Sequence, residues 1–256
     1  MATSNKSMDT AAYLGRIGYS GIVHPNAETL RRLHLAHLYT VPFENLDISL
    51  GRNIRCDEAR FLRKIVDSLR GGFCYELNGA FAALIRALGY RVTLLSARVA
   101  REDGGASPEF DHLALLVDLD EPWLADVGFG DCFLEPLRLK TESEQEQAGG
   151  PFRIVPVGNV MIVQRQLADQ SWKALYQFTL TPHPLEDFEP RCQWQQTSPE
   201  SHFVQQRICT RATPEGRITL SDLKLIRTVH GKREERMLAN EGEWRAALLE
   251  HFGVRL

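Results

Sequence analysis

The sequence lacks the features that mark several large classes of protein. Nowhere do 18 apolar residues run together, so no membrane-spanning helix is predicted. No Gly-x-Gly-x-x-Gly motif and no Walker loop occurs, so phosphate recognition by a glycine-rich loop is not supported. Basic residues are not in excess, because 30 Lys and Arg stand against 33 Asp and Glu, for a net charge of -3. This balance argues against a general nucleic-acid binder.

Cysteine is scarce and widely spaced. The five cysteines lie at positions 56, 74, 132, 192 and 209, and no two are within four residues of each other. A Cys-x-x-Cys zinc or redox motif is therefore absent, and we expect free thiols and no metal site. The first ten residues contain no apolar core of the kind that a secretory signal needs, so the expected location is the cytoplasm.

The 256 residues divide into three regions that differ in apolar spacing and predicted secondary structure. Residues 1–90 have helical apolar spacing and are predicted to form a helical bundle. Residues 91–195 contain short β-rich segments separated by Gly, Pro and Asp, which predicts a small antiparallel barrel or sandwich. Residues 196–256 mix short strands with a terminal helix. The order of helices, barrel and mixed tail predicts an α+β fold with mostly antiparallel strands.

Individual elements can be predicted within these regions. Asp9, Asn26 and Asp57 are N-cap candidates for the first three helices. A fourth helix has its apolar stripe over 81–88, and Gly89 stands where a C-terminal glycine cap belongs. A Pro- and Gln-containing crossover is expected at about 182–202. The predicted strands cover residues 91–99, 112–117, 123–127, 152–155, 161–163, 172–179, 204–210, 217–220, 223–229 and 234–238.

Cys74 differs from the other four cysteines in its position. It falls in the first turn of the fourth helix, where unpaired backbone N–H groups and the helix dipole favour an anion. A thiol there is expected to lose its proton more easily, and the thiolate is the nucleophile. Gly71 and Gly72 allow a close backbone approach or a positive φ. A buried packing cysteine beside a glycine turn is the alternative interpretation, and it is the one adopted for the other four.

A nucleophilic thiol needs a base, and the base needs an orienting acid. His112 begins a strand, the chain turns at 118–122, and Asp126 lies in the returning strand before Gly-Phe-Gly. The midpoint between residues 112 and 126 is 119, inside that turn, so His112 and Asp126 are candidate cross-strand or diagonal neighbours, in a register that the sequence leaves open. Asp111 and Asp131 are interpreted as loop or capping carboxylates. The other histidines considered are interpreted as structural or solvent-facing: His34, His37, His183 and His251.

At these residues the chain resembles the arylamine N-acetyltransferase family. The resemblance covers nearly the whole length and depends on four blocks in order. The connection between the central and C-terminal regions has no long insertion, and this absence indicates the bacterial type of the family. The resemblance implies a helical bundle, a β-barrel and an α/β lid (1–90, 91–195 and 196–256) with a papain-like triad of Cys74, His112 and Asp126. The four blocks are V-P-F-E-N-L-D at 41–47, R-G-G-F-C-Y-E-L-N at 70–78, His112 at the head of a strand, and D-V-G-F-G at 126–130.

The resemblance also implies an activity, that of an acyltransferase of xenobiotic metabolism. Acetyl-CoA would donate an acetyl group to Cys74, and the resulting thioester would pass it to an arylamine, hydrazine or N-hydroxyarylamine. His112 would manage protons, Asp126 would orient the imidazole, and backbone N–H groups near Cys74 would bind the oxyanion. The C-terminal region would keep water away from the thioester. The implied acceptor pocket is Phe43, Val99, Phe129 and Phe203, and the implied CoA contacts are Ser107, His230 and Gly231.

Three alternatives stay open. A cysteine hydrolase, either a protease or transglutaminase-like, would use the same triad, and an amide synthase of polyketide biosynthesis would share the fold. A non-catalytic binding module would keep the triad as a relic, with Cys74 no more reactive than Cys192 or Cys209. For each residue of the implied acceptor pocket taken singly, ordinary core packing is the alternative. The segment 232–235, next to the implied CoA contacts, is also typical of a solvated turn. The predicted partners are small molecules, without nucleic acid or membrane, and the sequence does not indicate the oligomeric state.

Overall fold

The structure, a computed structural model, describes residues 8–141 and 143–256, and its N-terminal part is helical. The predicted N-caps Asp9, Asn26 and Asp57 are confirmed, because each side-chain oxygen accepts a first-turn backbone N–H, at 2.9, 2.9 and 2.8 Å respectively. The elements are α1 (Thr10–Arg16), α2 (Ala27–Thr40), strand β1 (Phe43–Glu44), α3 (Leu46–Ser49), α4 (Glu58–Leu62) with a following π turn (Arg63–Asp67), and α5 (Cys74–Ala87).

Helix α5 lies at the centre of the helical part. Its predicted apolar stripe is buried, and Gly89 has a φ of +95° just past the helix end, which confirms the predicted stop. The first turn follows Phe73, which has no capping side chain of its own. Glu76 supplies the acceptor instead, because its Oε2 accepts a hydrogen bond from the Phe73 backbone N–H at 3.2 Å. Both ends of α5 are therefore held, and Cys74 is its first residue.

The central region forms one antiparallel sheet in the order β5-β4-β3-β2-β8-β7-β6. Gln145 joins the two edges, because its backbone pairs with Phe152 of β6 and its side chain bonds to the backbone of Arg138 in β5. The sheet is thus nearly closed, and the predicted barrel is confirmed. The strands are β2 (Arg91–Val99), β3 (His112–Asp118), β4 (Pro122–Ala125), β5 (Leu137–Arg138), β6 (Phe152–Val157), β7 (Val160–Gln166) and β8 (Trp172–Pro182).

The C-terminal region builds a second antiparallel sheet, in the order β1-β9-β10-β11-β12. Because β1 comes from the helical part, this sheet joins the first and last regions of the chain. The predicted domain boundaries stay a prediction, and the second one, after residue 195, falls inside helix α6. The remaining elements are α6 (Glu189–Thr197), α7 (His202–Gln205), β9 (Ile208–Thr213), β10 (Gly216–Ser221), β11 (Lys224–Val229), β12 (Lys232–Met237) and α8 (Glu241–Phe252).

Two predicted segments differ from the structure. The crossover at 182–202 contains a 3-10 turn (Leu185–Phe188) and α6, and the strand predicted from 204 begins only at Ile208, after α7. Helix α6 is polar, so its apolar periodicity is weak. It is held by distant partners, since Gln193 Nε2 and Gln196 Nε2 both donate to the Ile54 carbonyl oxygen at 2.9 Å. A local pattern does not contain such contacts.

Candidate active site

Cys74 is nearly buried at the start of α5, with 4% of its surface exposed. The two glycines before it are required by close packing and not by positive φ. A Cβ on Gly71 would lie 1.9 Å from the Pro42 carbonyl oxygen, and one on Gly72 would lie 2.7 Å from the Glu76 side chain. The glycine pair therefore lets the chain around β1 pack directly against the start of α5.

His112 and Asp126 are neighbours across the β3–β4 hairpin. Leu116 pairs with Leu124, so the register that the sequence left open is centred on residue 120. In the observed register, residue 126 is two positions from the direct partner of His112, which makes it a diagonal neighbour on the same face. His112 Nε2 and Asp126 Oδ2 are 2.7 Å apart. Of the two predicted arrangements, the diagonal one is therefore confirmed.

The Asp126 carboxylate is enclosed and held by three donors. Its Oδ2 accepts from His112 Nε2, and its Oδ1 accepts from Asn78 Nδ2 at 2.8 Å and from the Gly128 backbone N–H at 2.9 Å. Burial by itself would raise the pKa of Asp126, but the charge of His112 and these hydrogen bonds bring it below its ordinary value. The ionised carboxylate keeps a proton on His112 Nε2, which leaves Nδ1 as the second ring nitrogen.

Asn78 connects the helix to the hairpin, and the sequence analysis missed this role. Besides Asp126, its Nδ2 donates to the Leu113 carbonyl oxygen at 2.6 Å, and its Oδ1 accepts from the Val127 backbone N–H at 2.9 Å. One amide thus holds both strands of the hairpin to α5. The signal available in the sequence is a polar residue four positions after Cys74, on the same face of an otherwise apolar helix.

The sequence indicated that His34 is only a structural helix histidine, but its ring also binds the backbone of Asp126. Its Nε2 accepts from the Asp126 backbone N–H at 3.1 Å, and its Nδ1 donates to the Leu134 carbonyl oxygen at 2.8 Å. Burial lowers the pKa of His34 to about 4, so the ring is neutral and in this tautomer. Together with Asn78, His34 binds the backbone N–H groups that would continue β4. The strand therefore ends at Ala125, earlier than predicted.

Gly128 brings the hairpin against the start of α5. A Cβ at Gly128 would lie 2.9 Å from the Cys74 Cα, so a larger residue does not fit without movement. Cys74 Sγ lies 4.0 Å from the carbonyl oxygen of Asp111, the residue before His112. The predicted residues Cys74, His112 and Asp126 are thus brought to one place.

The pKa of the Cys74 thiol is raised well above its ordinary value in the free protein. Burial is the main cause and the charge of Asp111 is the next, while backbone hydrogen bonds from Leu113 and Tyr75 act in the opposite direction. The expectation that the helix N-terminus by itself would promote loss of the proton is therefore wrong for this buried site. A thiolate here requires a base that takes the proton.

Asp111 was predicted to be a loop or capping carboxylate, but it also connects helix α6 to the residue that begins β3. Its Oδ1 accepts from Arg191 Nε and from Gln195 Nε2, both at 2.6 Å. Its carbonyl oxygen also accepts a hydrogen bond from the Tyr75 hydroxyl at 3.4 Å. The helix that the sequence did not predict therefore positions the residue immediately before His112.

Of the four residues implied for the acceptor pocket, the three aromatic ones pack beside elements of this site. The Phe129 ring packs edge-on against that of His112, with 5.2 Å between centroids. The rings of Phe43 and Phe203 are 6.0 Å apart, and Val99 is the last residue of β2. Phe43 also packs beside the Gly-Phe-Gly turn, because its ring is 3.6 Å from a Cβ built on the second glycine. Contact of these residues with an acceptor stays a prediction.

The three residues implied for CoA contacts lie in two places. Ser107 is buried in the loop before β3, and its hydroxyl already accepts a backbone N–H at 2.8 Å. His230 and Gly231 form the exposed turn between β11 and β12, with φ of 47° and 77°. They line an open cavity of about 480 Å³ together with Arg165 and Arg217. CoA contact at all three positions stays a prediction.

Other features of the described residues bear on cofactors and location. All five cysteines are free thiols. Within 8–141 and 143–256, no group of three or more His, Cys, Asp or Glu side chains is arranged to hold a metal ion. In the same part of the chain, every helix is too short or too polar to cross a bilayer.

Sequence comparisons agree on one family. A family model described as N-acetyltransferase matches residues 26–256. The arylamine N-acetyltransferase of Escherichia coli is 36% identical over 94% of this chain and 87% of its own length. A Salmonella typhimurium protein named arylamine N-acetyltransferase / N-hydroxyarylamine O-acetyltransferase is 37% identical over 88% of this chain and 81% of its own length.

Solved structures extend this similarity to the fold. The arylamine N-acetyltransferase from Salmonella typhimurium superposes with a TM-score of 0.91 at 34% identity, covering 96% of this chain and 90% of that one. The Mycobacterium marinum arylamine N-acetyltransferase in complex with CoA superposes with a TM-score of 0.89 at 33% identity, covering 96% and 93%. Because sequence and fold match along nearly the whole length, the chain belongs to the arylamine N-acetyltransferase family.

Proposed function

We propose that this protein transfers an acetyl group from acetyl-CoA to arylamines, hydrazines or N-hydroxyarylamines through a thioester on Cys74. The observation that carries the proposal is the buried His112–Asp126 pair, 2.7 Å apart, packed against the start of the helix that bears Cys74. A thiol, an imidazole and an orienting carboxylate are the parts that nucleophilic acyl transfer needs. The names of the relatives and the CoA complex supply the classes of acceptor and donor.

In the proposed first step, the Cys74 proton moves to His112 Nδ1 and the sulfur attacks the carbonyl carbon of acetyl-CoA. Asp126 stabilises the imidazolium, because its carboxylate already accepts the Nε2 proton. First-turn backbone N–H groups of α5 have no intrahelical partner, so they are suited to bind the tetrahedral oxyanion. The bond between the carbonyl carbon and the CoA sulfur then breaks, and the CoA thiolate takes the proton back from His112.

In the proposed second step, the acceptor nitrogen attacks the acetyl carbon of acetyl-Cys74. His112 accepts the nitrogen proton, and Cys74 leaves as a thiolate. An arylamine or hydrazine suits this step because it is neutral near pH 7 and its lone pair is free. A flat ring fits the aromatic side chains of Phe43, Phe129 and Phe203. The C-terminal region would exclude water, which would otherwise hydrolyse the thioester.

For the donor, we propose that CoA lies along the cavity at the His230–Gly231 turn. Arg165 and Arg217 face that cavity, and both pair with the half-exposed Asp131, at 3.5 and 3.2 Å. Guanidinium groups bind phosphate through paired N–H donors. Arg165 and Arg217 could therefore release Asp131 and bind a phosphate of CoA in its place. Ser107 would act indirectly, by shaping the loop before β3. The cytoplasmic location and a role in xenobiotic metabolism stay predictions.

Intact-mass analysis after exposure to acetyl-CoA, without acceptor, tests the proposed function. We expect the wild-type protein to gain one acetyl group, which peptide mapping places on Cys74, and to lose it when an arylamine or hydrazine is added. Cys74→Ala should gain none and should have no transferase activity while remaining folded. Cys209→Ala, which alters a buried thiol away from this site, should still gain one acetyl group.

Two outcomes would contradict the proposal. Full transferase activity in Cys74→Ala would remove Cys74 as the nucleophile. Peptide cleavage that depends on Cys74, with no acetyl gain from acetyl-CoA, would instead favour the cysteine hydrolase alternative. Iodoacetamide labelling adds a check on the binding-module alternative, which predicts that Cys74 reacts no faster than Cys192 or Cys209.

A further inference from the structure

We infer that Cys56 and Cys192 form a thiol pair that closes to a disulfide on reaction with a small-molecule disulfide such as oxidised glutathione. Neither residue takes part in the proposed acetyl transfer. Cys56 lies in the turn before α4, and Cys192 lies in the middle of α6. The two segments are far apart in sequence and are joined only by the fold.

The segment that carries Cys56 runs along one face of α6. The Cys56 backbone N–H donates to Glu189 Oε2 at 2.6 Å, and the Ile54 backbone N–H donates to Gln196 Oε1 at 2.7 Å. Cys192 lies between these two α6 residues at helical spacings of three and four, so it is on the same face. Gln196 Nε2 also lies 3.4 Å from Cys192 Sγ. The Cys192 thiol is therefore directed at the segment that carries Cys56.

The Cys56 side chain packs against the buried cluster that contains Cys192. The hydrogen bond with Cys56 is the main cause that raises the pKa of Cys192, and burial is the next. Closing a disulfide brings the two sulfurs from contact to about 2.05 Å, with Cα atoms about 4.4–6.8 Å apart. Cys56 can supply this movement because it lies in a turn outside any helix or strand. The pair can therefore close while α6 keeps its helical hydrogen bonds and shifts as a rigid element toward Cys56.

Cys56 is the thiol that a reagent reaches first. It is half-buried and lines a surface cavity of about 480 Å³, whereas Cys192 has 0% of its surface exposed. The Cys56 thiolate attacks one sulfur of glutathione disulfide, forms a mixed disulfide and releases one glutathione. This modification removes the hydrogen bond that raises the pKa of Cys192. Cys192 then attacks the Cys56 sulfur and releases the second glutathione, so two thiols are oxidised and one glutathione disulfide is reduced.

The new bond would affect the active site through α6. Arg191 and Gln195 are the α6 side chains that hold Asp111, and Cys192 lies between them in sequence. Movement of α6 toward the other thiol would displace Asp111 and, with it, the start of β3 at His112. This consequence rests on the proposed function. It predicts acetyl transfer that falls several-fold on oxidation and recovers when a reducing thiol is added.

Peptide mapping tests the disulfide without any measurement of activity. The protein is incubated with glutathione disulfide, the remaining thiols are alkylated in denaturant, and the digest is analysed by mass. We expect the Cys56 peptide to be linked to the Cys192 peptide within one chain. Cys192→Ala should accumulate a glutathione mixed disulfide on Cys56, and Cys209→Ala should still form the link. Thermal unfolding confirms that both variants are folded.

Two results would overturn the inference. The first is an alkylated Cys192 in oxidised wild-type protein, and the second is a Cys56 disulfide that joins two chains. For the effect on activity, Cys56→Ala should keep its acetyl-transfer rate through the same treatment. An equal loss in Cys56→Ala would assign the inactivation to Cys74 and would end the proposed coupling. Because the mapping needs no substrate, its failure is distinguishable from failure of the proposed function.

Discussion

Two buried polar clusters contact helix α5, and they hold charge in different ways. In the first, a single imidazole can take up or release a proton. In the second, two cations that stay charged are shared among three carboxylates. We call the first the His–Asp cluster, which consists of Asn78, His112 and Asp126. We call the second the ion-pair cluster, which consists of Glu44, Asp47, Lys64, Arg70 and Glu76.

The ion-pair cluster is saturated with close contacts. Arg70 Nη2 lies 2.7 Å from Glu44 and 3.1 Å from Asp47, and Lys64 Nζ lies 2.8 Å from both Asp47 and Glu76. Burial raises the pKa of Glu76 to about 7 in spite of the nearby Lys64, so one carboxylate of the three is partly protonated near neutrality. The comparison teaches that one helix can contact both a network of ion pairs that holds the fold and a His–Asp pair that is suited to chemistry.

The largest difference between the clusters should appear in Asp126→Asn. The substitution keeps the size of the side chain but removes the charge that keeps the His112 proton on Nε2. We expect the acetyl-transfer rate to fall by about 10³- to 10⁴-fold. Steady-state acetylation of an arylamine measures the rate. Asp118→Asn, an exposed carboxylate on the same hairpin, is the matched control and should keep the wild-type rate. A loss below about tenfold would remove Asp126 as the orienting acid.

In the ion-pair cluster, Arg70→Met should cost stability. It leaves the buried carboxylate of Glu44 without its closest cation and removes one of the cations that contact Asp47, so we expect the free energy of unfolding to fall by about 3–5 kcal/mol. Urea unfolding measures this change. Arg91→Met breaks the exposed pair with Asp118 and should cost less than about 1 kcal/mol. Folded Arg70→Met should still gain an acetyl group on Cys74, and a small stability loss would show that the cluster does not hold the fold.

A smaller effect is expected where the His–Asp cluster meets the nucleophile. Gly128→Ala would place a methyl group 2.9 Å from the Cys74 Cα and 2.7 Å from Asn78 Nδ2, so the hairpin must move away from α5. We expect the acetyl-transfer rate to fall by about 10²-fold, the cost of a misplacement near 1 Å. Gly15→Ala, where a Cβ meets nothing within 4 Å, is the control and should be fully active. Wild-type rates in both variants would disprove that Gly128 packs this closely against the backbone of Cys74.

The smallest effect should be a change in pH dependence in the ion-pair cluster. Because the pKa of Glu76 is higher in the folded state than in the unfolded state, its stabilising contribution is present at low pH and lost as pH rises through about 7. Glu76→Gln removes this titration. The free energy of unfolding of the variant, minus that of wild type, should therefore rise by about 1–2 kcal/mol between about pH 5 and about pH 8. The rise is smaller than the full pKa shift would give because Lys64 shares the titration. Urea unfolding at both pH values measures this, and exposed Glu186→Gln should show no such trend.

The parts of the site that depend on local position could be predicted from the sequence. Cys74 was identified because a helix start and two glycines precede it, and His112 and Asp126 because they flank one turn at similar distances. The register could not be predicted, because it depends on the geometry of the turn at 118–122 and the sequence is compatible with more than one spacing. The lowered pKa expected for Cys74 was wrong because burial outweighs the helix terminus, and burial is a property of the whole fold.

The parts that were missed depend on contacts between distant segments. His34 binds the backbone of Asp126, 92 residues away, and Gln196 binds Ile54, 142 residues away. Helix α6 has few apolar residues, so its pattern is weak, and its position follows from such contacts. Four of the five residues of the ion-pair cluster, all except Lys64, were present in the quoted sequence blocks, but only the fold shows that they bind one another.

The sequence by itself determined the helix caps, the alternating strands, the position of Cys74 at a helix start and the hairpin that carries His112 and Asp126. These features follow from backbone hydrogen bonding and side-chain periodicity, which act over a few residues. Tertiary structure alone decided the diagonal register of His112 and Asp126, the early end of β4, the hydrogen bonds to Asn78 and His34 that hold it, and the position of the Cys56 segment along α6. The physical reason is that a buried polar group must find its partner wherever the fold places one, and that partner is usually distant in sequence.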